Sequence, residues 1–402
     1  MKISKVDVML LHPRNLKDDN KGDFFGAPQF TPVVCRIYTD EGIFGDGEAA
    51  LPFNCGPEGV FYTIKELSKL IIGMNPLEHE VIWDKMYRQT FWALNGGCVI
   101  SAAMSAIDNA VWDIKGKAFN VPVYMLLGGK KREKLRSYAS QIQFGWGTEL
   151  NLAKSPEDFA SNALKAVNEG YDAIKANFFV LDENGNGFTD EHRTGFVTPE
   201  FLNIVEKRIS AVREAVGSNV DIMVENHGFS DTQSAIQIMK RIEKYNILFL
   251  EEPSVPSPEI TKYISDKISV PIASGERIYT RQQFKPYIDN GSLRLIQPDL
   301  GTSGGITEVK KICDYAYTND ISVQLHVCGS PIALAASLQF EASVSNFGIH
   351  ENLIFNNFEC YKELCKYEYP VVSGKADIPD KPGIGNELSE IAFKNCDKLV
   401  VS

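Results

Sequence analysis

Through the middle of the chain, short runs rich in Val, Ile, Leu and Phe alternate with longer stretches whose apolar residues recur three and four apart. The runs are RSYASQIQ, YDAIKANFFV, DIMVENHG, ILFLEEP, VPIASGER, LRLIQPDL, ISVQLHVCG and NFGIHEN. Eight strands are what a closed parallel barrel needs. The stretches between them, such as Pro199–Val216, Asp231–Tyr245 and Gly305–Tyr317, have the spacing of amphipathic helices. Before the first run the pattern is α+β. SKVDVMLLHP and PVVCRIYTDEGIFGDGEA read as strands, the second broken by turn signals at Asp40-Glu41-Gly42 and Gly45-Asp46-Gly47. Helices are expected at Glu58–Ile72, Leu77–Thr90 and Val99–Ala118. The last of these, rich in Ala and poor in charge, is expected to be buried against the barrel. These elements divide the chain into an α+β domain (1–130), a (β/α) barrel (131–355) and an irregular tail (356–402) that folds back onto the first domain. Residues 16–30, polar with Gly and aromatics, read as a lid loop or a plain surface loop.

Acidic residues close several of these runs at a steady step. Glu225, Glu251, Glu276 and Asp299 lie 26, 25 and 23 positions apart, and His326 and Glu351 continue the beat. One strand, loop and helix occupy about that length, so each residue falls at the carboxyl end of a strand, around one pocket. Carboxylates converging there repel one another unless a divalent cation lies between them.

Composition narrows the class. With 402 residues, 44% of them hydrophobic, the chain can bury a large core as two domains. A net charge of −11 and the lack of a long basic run exclude nucleic acid as the expected partner. The apolar stretch of MKISKVDVMLLHP is too short for a membrane span or a signal peptide. Eight cysteines without a CxxC pair fit reduced thiols and a cytoplasmic protein.

Taken together, SAIDNAVWDIKGK and YMLLGG in the first domain, KAN, ENH, EEP, GER, QPD, GGIT and QLHVCGSPIALAA in the barrel, and KPGIG in the tail resemble the enolase superfamily. The similarity is to its mandelate racemase-like subgroup, and within that to sugar-acid dehydratases of the galactonate and mannonate type. The resemblance implies a TIM-like barrel under an N-terminal capping domain that the tail completes. It implies one Mg²⁺ per site on Glu225, Glu251 and Glu276, with Glu251 chosen over Glu252 as the first acid of EEP. Family members more often carry Asp at the first of these positions. Hard oxygen donors suit Mg²⁺. The resemblance also makes Glu351 the acid that hydrogen-bonds an enediolate, and Asn177 of Lys175-Ala176-Asn177 a substrate hydrogen bonder where racemases carry a second Lys. Lys175 either pairs with a pocket carboxylate or is structural. Homo-oligomers, from dimer to octamer, are common in the family.

Two histidines are candidate acids and bases. Glu225 and His227 are two apart on one strand, so alternation turns both to the same face. Asp299 and His326 end consecutive strands, where an Asp can hold the imidazole tautomer and raise its basicity. His350 has no such indication. The expected chemistry is C2 proton removal from an acid sugar by His326–Asp299, with His227 protonating the departing 3-hydroxyl, giving a 2-keto-3-deoxy sugar acid. The alternatives are a racemase or epimerase working through the same intermediate, and a slow binding or regulatory member. Galactonate, gluconate and mannonate are not distinguished. Specificity is expected from residues 16–30, LPFNCGPEG, QIQFGWG and the inserted LDENGNGFTDEHRTGF.

Overall fold

The computed structural model describes residues 1–13, 30–53, 56–91, 94–148 and 150–402. The expected lid at 16–30 therefore lies, except for Phe30, outside the described residues. Three strands, β1 (Ile3–Leu11), β2 (Val33–Thr39) and β3 (Phe44–Ala49), form an antiparallel meander beside helices α1 (Gly56–Ile71), α2 (His79–Gln89) and α3 (Cys98–Ala118). The period-2 pattern of β1 serves two cores. Val6, Val8 and Leu10 pack with α1 and α3, whereas Met9 and Leu11 join the core shared with the barrel.

The barrel strands are β4 (Lys134–Ser140), β5 (Ala173–Ala176), β6 (Asp221–Glu225), β7 (Ile247–Glu251), β8 (Ile272–Ser274), β9 (Leu295–Ile296), β10 (Ser322–Val323) and β11 (His350–Leu353). They pair in parallel in chain order, and β11 pairs with β4. The remaining seam is closed by a bridge between Val323 and Phe347, with Gly348 N donating to Val323 O at 2.7 Å. All eight predicted runs thus become staves of one closed barrel. The ladders of β8 to β10 are shorter than their hydrophobic runs; Pro271 and Pro298, which lack an N–H, flank two of them.

Alternation along the staves builds the site. Tyr138, Ala173, Met223, Phe249 and Ile349 fill the barrel interior as an apolar layer. Two residues further along each of these segments stand Ser140, Lys175, Glu225, Glu251 and Glu351, all buried. The polar floor of the pocket is the next layer of the same side-chain stack.

Two expectations are corrected. Gly45-Asp46-Gly47 lies inside β3 and makes no turn. A Cβ on Gly47 would sit 2.0 Å from Ala106 O of α3, so the glycines let strand and helix touch. The tail is also more regular than expected. β12 (Val371–Val372) and β13 (Lys375–Asp377) form a hairpin that adds antiparallel to β4, and β14 (Cys396–Val401) becomes the edge strand beside β1. Among the described residues no helix is long and apolar enough to cross a membrane.

Helix α3 is buried along most of its length and grips the loop after β9. Asn109 Nδ2 donates to Leu300 O (2.9 Å), Gly304 N to Ser105 Oγ (2.8 Å), and Thr307 N and Oγ1 to Asp108 (2.8 and 2.6 Å). Gly305, at φ +79°, is required here, because a Cβ would meet Asp108 Oδ2 at 2.4 Å. Burial pushes the Asp108 carboxyl up to about 7, against the two bonds from Thr307. A carboxyl with a raised folded value stabilises the fold fully below its unfolded value near 4, and this contribution is lost as pH rises through about 7. Asp108→Asn, which has no charge to bury, is therefore expected to gain on the wild type across pH 4 to 8, by on the order of a few kcal/mol. Paired thermal melts across that range check this, and a constant difference in Tm contradicts it.

Candidate active site

A cavity of about 390 Å³ opens at the carboxyl ends of the strands, beneath the capping segment Ala50–Phe53. Lys175, His227, Glu276, His326 and Glu351 line it. Glu225 and Glu251 are fully buried and reach Lys175. The Lys175 ammonium lies 2.5 Å from Glu251, 2.9 Å from Glu351 and 3.4 Å from Glu225. Of the two roles left open for Lys175, the structure shows pairing with pocket carboxylates.

One ammonium cannot neutralise this cluster. Burial raises both Glu225 and Glu251 above the usual carboxylate range, and their mutual proximity adds to the rise in Glu251. Glu225 Oε2 is buried and accepts no hydrogen bond. Gln297 Nε2 donates to Glu251 Oε2 at 2.6 Å, a contact that sequence reasoning missed although QPD was noted. Glu252, at φ +47°, turns to Ser274, Gly275 N (3.0 Å) and Arg277 Nε (3.1 Å), which leaves Glu251 as the member of the pair inside the barrel.

Burial favours the neutral form of Glu351, but Lys175 and His326 outweigh burial and hold it at about 2. It accepts from Ser140 Oγ (2.6 Å), Lys175 and Val327 N (3.0 Å), and so anchors its neighbours.

The two histidines have opposite environments. His326 Nδ1 lies 2.6 Å from Asp299 Oδ2, and Nε2 lies 3.3 Å from Glu276 Oε2. Burial works against its charge, yet Glu276 and Asp299 carry it up to about 10. His227 reaches the same cavity by a different route from strand alternation. It lies past the end of β6 in a left-handed conformation, φ +51°, with its N–H bonded to Glu225 Oε1 at 2.7 Å. Burial lowers its ring to about 4.

Asn177 faces His227 and sets its tautomer. It is fully buried and does not line the cavity. Its Oδ1 accepts from Phe179 N (3.0 Å), which orients the amide and points Nδ2 at His227 Nδ1, 3.2 Å away. An amide NH₂ only donates, so Nδ1 accepts and the ring proton sits on Nε2. Leu51, Pro52, Phe53 and Gln141 line the cavity as the specificity segments suggested. None of the inserted residues 181–196 does; Arg193 from that insertion instead packs over the ring of Phe229, which does line it. His350 is paired with Glu341 at 2.6 Å, away from the cavity.

Comparison with known proteins places this geometry. Residues 158–392 match the family model described as enolase C-terminal domain-like, and residues 25–128 match that of the mandelate racemase / muconate lactonizing enzyme N-terminal domain. The chain belongs to the mandelate racemase/muconate lactonizing enzyme family of the enolase superfamily. This family member is 31% identical over 396 residues to D-galactonate dehydratase of Pectobacterium atrosepticum, covering 97% of this chain and 93% of that protein. A solved structure titled putative dehydratase, from Zymomonas mobilis ZM4, matches with a TM-score of 0.94 and 44% identity over 100% of this chain and 99% of that one. A member of the enolase superfamily from Salmonella Typhimurium matches at 0.93 and 46% over the full length of both.

The family implies a divalent metal. Among the described residues no group of three or more His, Cys, Asp or Glu side chains is arranged, as it stands, to hold one. The donor chemistry nevertheless fits: oxygen-only ligands at adjacent strand ends, too little positive charge, and a Glu225 Oε2 that accepts no hydrogen bond and has Lys175 only at 3.4 Å. Lys175 stands between Glu225 and Glu251 in this state.

Asn177→Asp replaces a donor facing Nδ1 with an anionic acceptor, so the His227 ring is expected to titrate at least about one pK unit higher by NMR. An unshifted ring would contradict the assigned bond.

Proposed function

We propose that this chain is a hydro-lyase that removes water from an acid sugar to give a 2-keto-3-deoxy sugar acid. The observation that carries this is the convergence of two histidine rings, one of them paired with Asp299, in one cavity floored by carboxylates. Relatives named D-galactonate dehydratase support the substrate class, with an aldonate as its type. Glu225, Glu251 and Glu276 are the side chains that would hold Mg²⁺. When bound, the ion supplies the missing positive charge beside the substrate carboxylate and takes up the charge of Glu276, which otherwise keeps His326 protonated.

His326 Nε2 takes the proton from C2, and Asp299 on Nδ1 stabilises the imidazolium that results. The electron pair left on C2 passes into an enediolate, and its collapse expels the C3 hydroxyl. His227 presents Nε2 to that hydroxyl and protonates it, so that it leaves as water. The resting ring is neutral; the anionic substrate adds negative charge beside it, which favours the protonated form needed at this step. The enol then tautomerises to the 2-keto acid. Lys175, held by three carboxylates, keeps Glu351 ionised and the floor rigid.

The test is a Mg²⁺-dependent screen of four- to six-carbon aldonic and aldaric acids, scored for 2-keto product with semicarbazide. His326→Asn is expected to abolish both turnover and deuterium exchange at C2. His227→Asn is expected to lower turnover by about a hundredfold or more while leaving exchange detectable. Turnover unchanged in the His326 variant, or C2 exchange without loss of water in the wild type, would overturn the assignment; the second result indicates an epimerase or racemase.

A further inference from the structure

Among the described residues, β10 and β11 are neighbouring staves that share no strand ladder, only the bridge at Val323. Successive N–H groups along a strand face opposite neighbours. Those of Ser322 and Gln324 donate toward β9, to Arg294 O (3.2 Å) and Ile296 O (3.1 Å), while Val323 N donates across the seam to Asn346 O (2.8 Å). The same alternation turns Leu325 and Val327 to the seam, where carboxylates meet them in place of backbone. Leu325 N donates to Glu341 Oε1 (3.3 Å) and Val327 N to Glu351 Oε2 (3.0 Å). Glu341 belongs to the helix Pro331–Ser343, is fully buried, and faces His350 Nδ1 of β11 through Oε2 at 2.6 Å. His350 is fully buried too, and the next residue along β11 is Glu351. Between the two stitched amides stands His326.

We propose that Glu341 and His350 are positioning residues: they close the barrel seam in place of a ladder and so hold His326 against Asp299. This rests on the dehydratase reading for the role of His326 and goes beyond it. Leu325 is fully buried, so its N–H needs an acceptor; without Glu341 the segment either keeps an unsatisfied donor or shifts to find one. Glu341 in turn can lie at the seam only with a partner for its second oxygen, because a buried carboxyl without one is costly. His350 is that partner. Loss of either side chain frees residues 325–327 on their β11 side. The His326 ring then loses its registration with Asp299, now 2.6 Å away, and a displacement on the order of 1 Å is enough to impair proton transfer.

The test reads the downfield NMR signal of the proton between His326 Nδ1 and Asp299, in Mg²⁺-loaded protein labelled at its six histidines. His326→Asn assigns the signal by removing it. In Glu341→Leu and in His350→Leu the signal is expected to move upfield or broaden away. On the acid sugar turned over, kcat is expected to fall about tenfold or more, with KM and Mg²⁺ affinity held within about twofold. Glu341→Gln keeps an acceptor for Leu325 and a donor for the other tautomer of His350, so it is expected to retain the signal and most of kcat. Gln339→Leu is the control. Gln339 is equally buried on the same helix but bonds Tyr124 N (3.0 Å) and Pro379 O (2.7 Å), so its loss is expected to lower Tm and leave the signal in place. An unmoved signal in both Leu variants overturns the inference, as does a Glu341→Gln variant no better than Glu341→Leu, or a Gln339→Leu variant equally impaired. Should neither Leu variant fold, hydrogen exchange on the wild type decides: Leu325 and Val327 amides as slow as Val323 support the inference, and fast exchange at Leu325 overturns it. If the wild type dehydrates nothing, the dehydratase reading falls and the signal still decides the seam. If it dehydrates while the signal stays in place in both Leu variants, only the seam inference falls.

Discussion

Burying an ionised carboxylate costs several kcal/mol unless opposite charge meets it, and this barrel places three of them, Glu225, Glu251 and Glu351, around the single ammonium of Lys175. The charge is shared unevenly. Glu351 also has Ser140, the Val327 N–H and nearby His326, and stays ionised at about 2. Glu225 and Glu251 are left with the deficit, which burial expresses as raised proton affinity and as an oxygen with no hydrogen bond. Such a floor is stable only when it gains a proton or a cation. The apolar layer two residues below, from Tyr138 to Ile349, excludes water that would otherwise screen the charges and relax the site.

The capping domain contributes to the chemistry beyond covering it. Asp299, which faces His326, stands at the start of the loop that Ser105, Asp108 and Asn109 of α3 hold by hydrogen bonds to residues 300–307. Trp112 extends the same grip, donating from Nε1 to Thr307 Oγ1 at 2.8 Å. Four polar or indole residues of one motif, SAIDNAVW, therefore fix the loop that orients the imidazole. A slip of α3 against the barrel would reach the 2.6 Å contact between Asp299 and His326 through one short loop. Gly47 and Gly305 are among the places where the backbone comes too close to α3 for any side chain.

The barrel was legible in the sequence because a strand, a loop and a helix have a nearly constant combined length, so eight runs and their terminal acids repeat in register. The pairing of Asp299 with His326 was legible for the same reason, since consecutive staves are neighbours. What was hidden depends on partners distant in sequence. Gly45-Asp46-Gly47 looks like a turn until a helix some sixty residues on packs against it. The contact of Asn177 with an imidazole is hidden because only the bend after β6 brings His227 back to its amide. The pairing of Glu351 with Lys175, on another stave, is hidden in the same way. Alternation also predicted the right face for His227 for the wrong reason, because the strand has ended before it and a left-handed backbone turns the ring in.

The two rings show how the same side chain acquires opposite properties from its neighbours. An imidazole facing a carboxylate on one nitrogen gains an acceptor for a second proton, and His326 has such a partner on each nitrogen, Asp299 and Glu276. An imidazole whose Nδ1 faces an amide N–H has that lone pair occupied by a donor, and a second proton would force donor against donor. His227 is in this position because Phe179 N–H fixes the Asn177 amide from behind. Burial alone would lower both rings, so burial cannot distinguish them. The asymmetry comes from whether the group facing each ring accepts or donates.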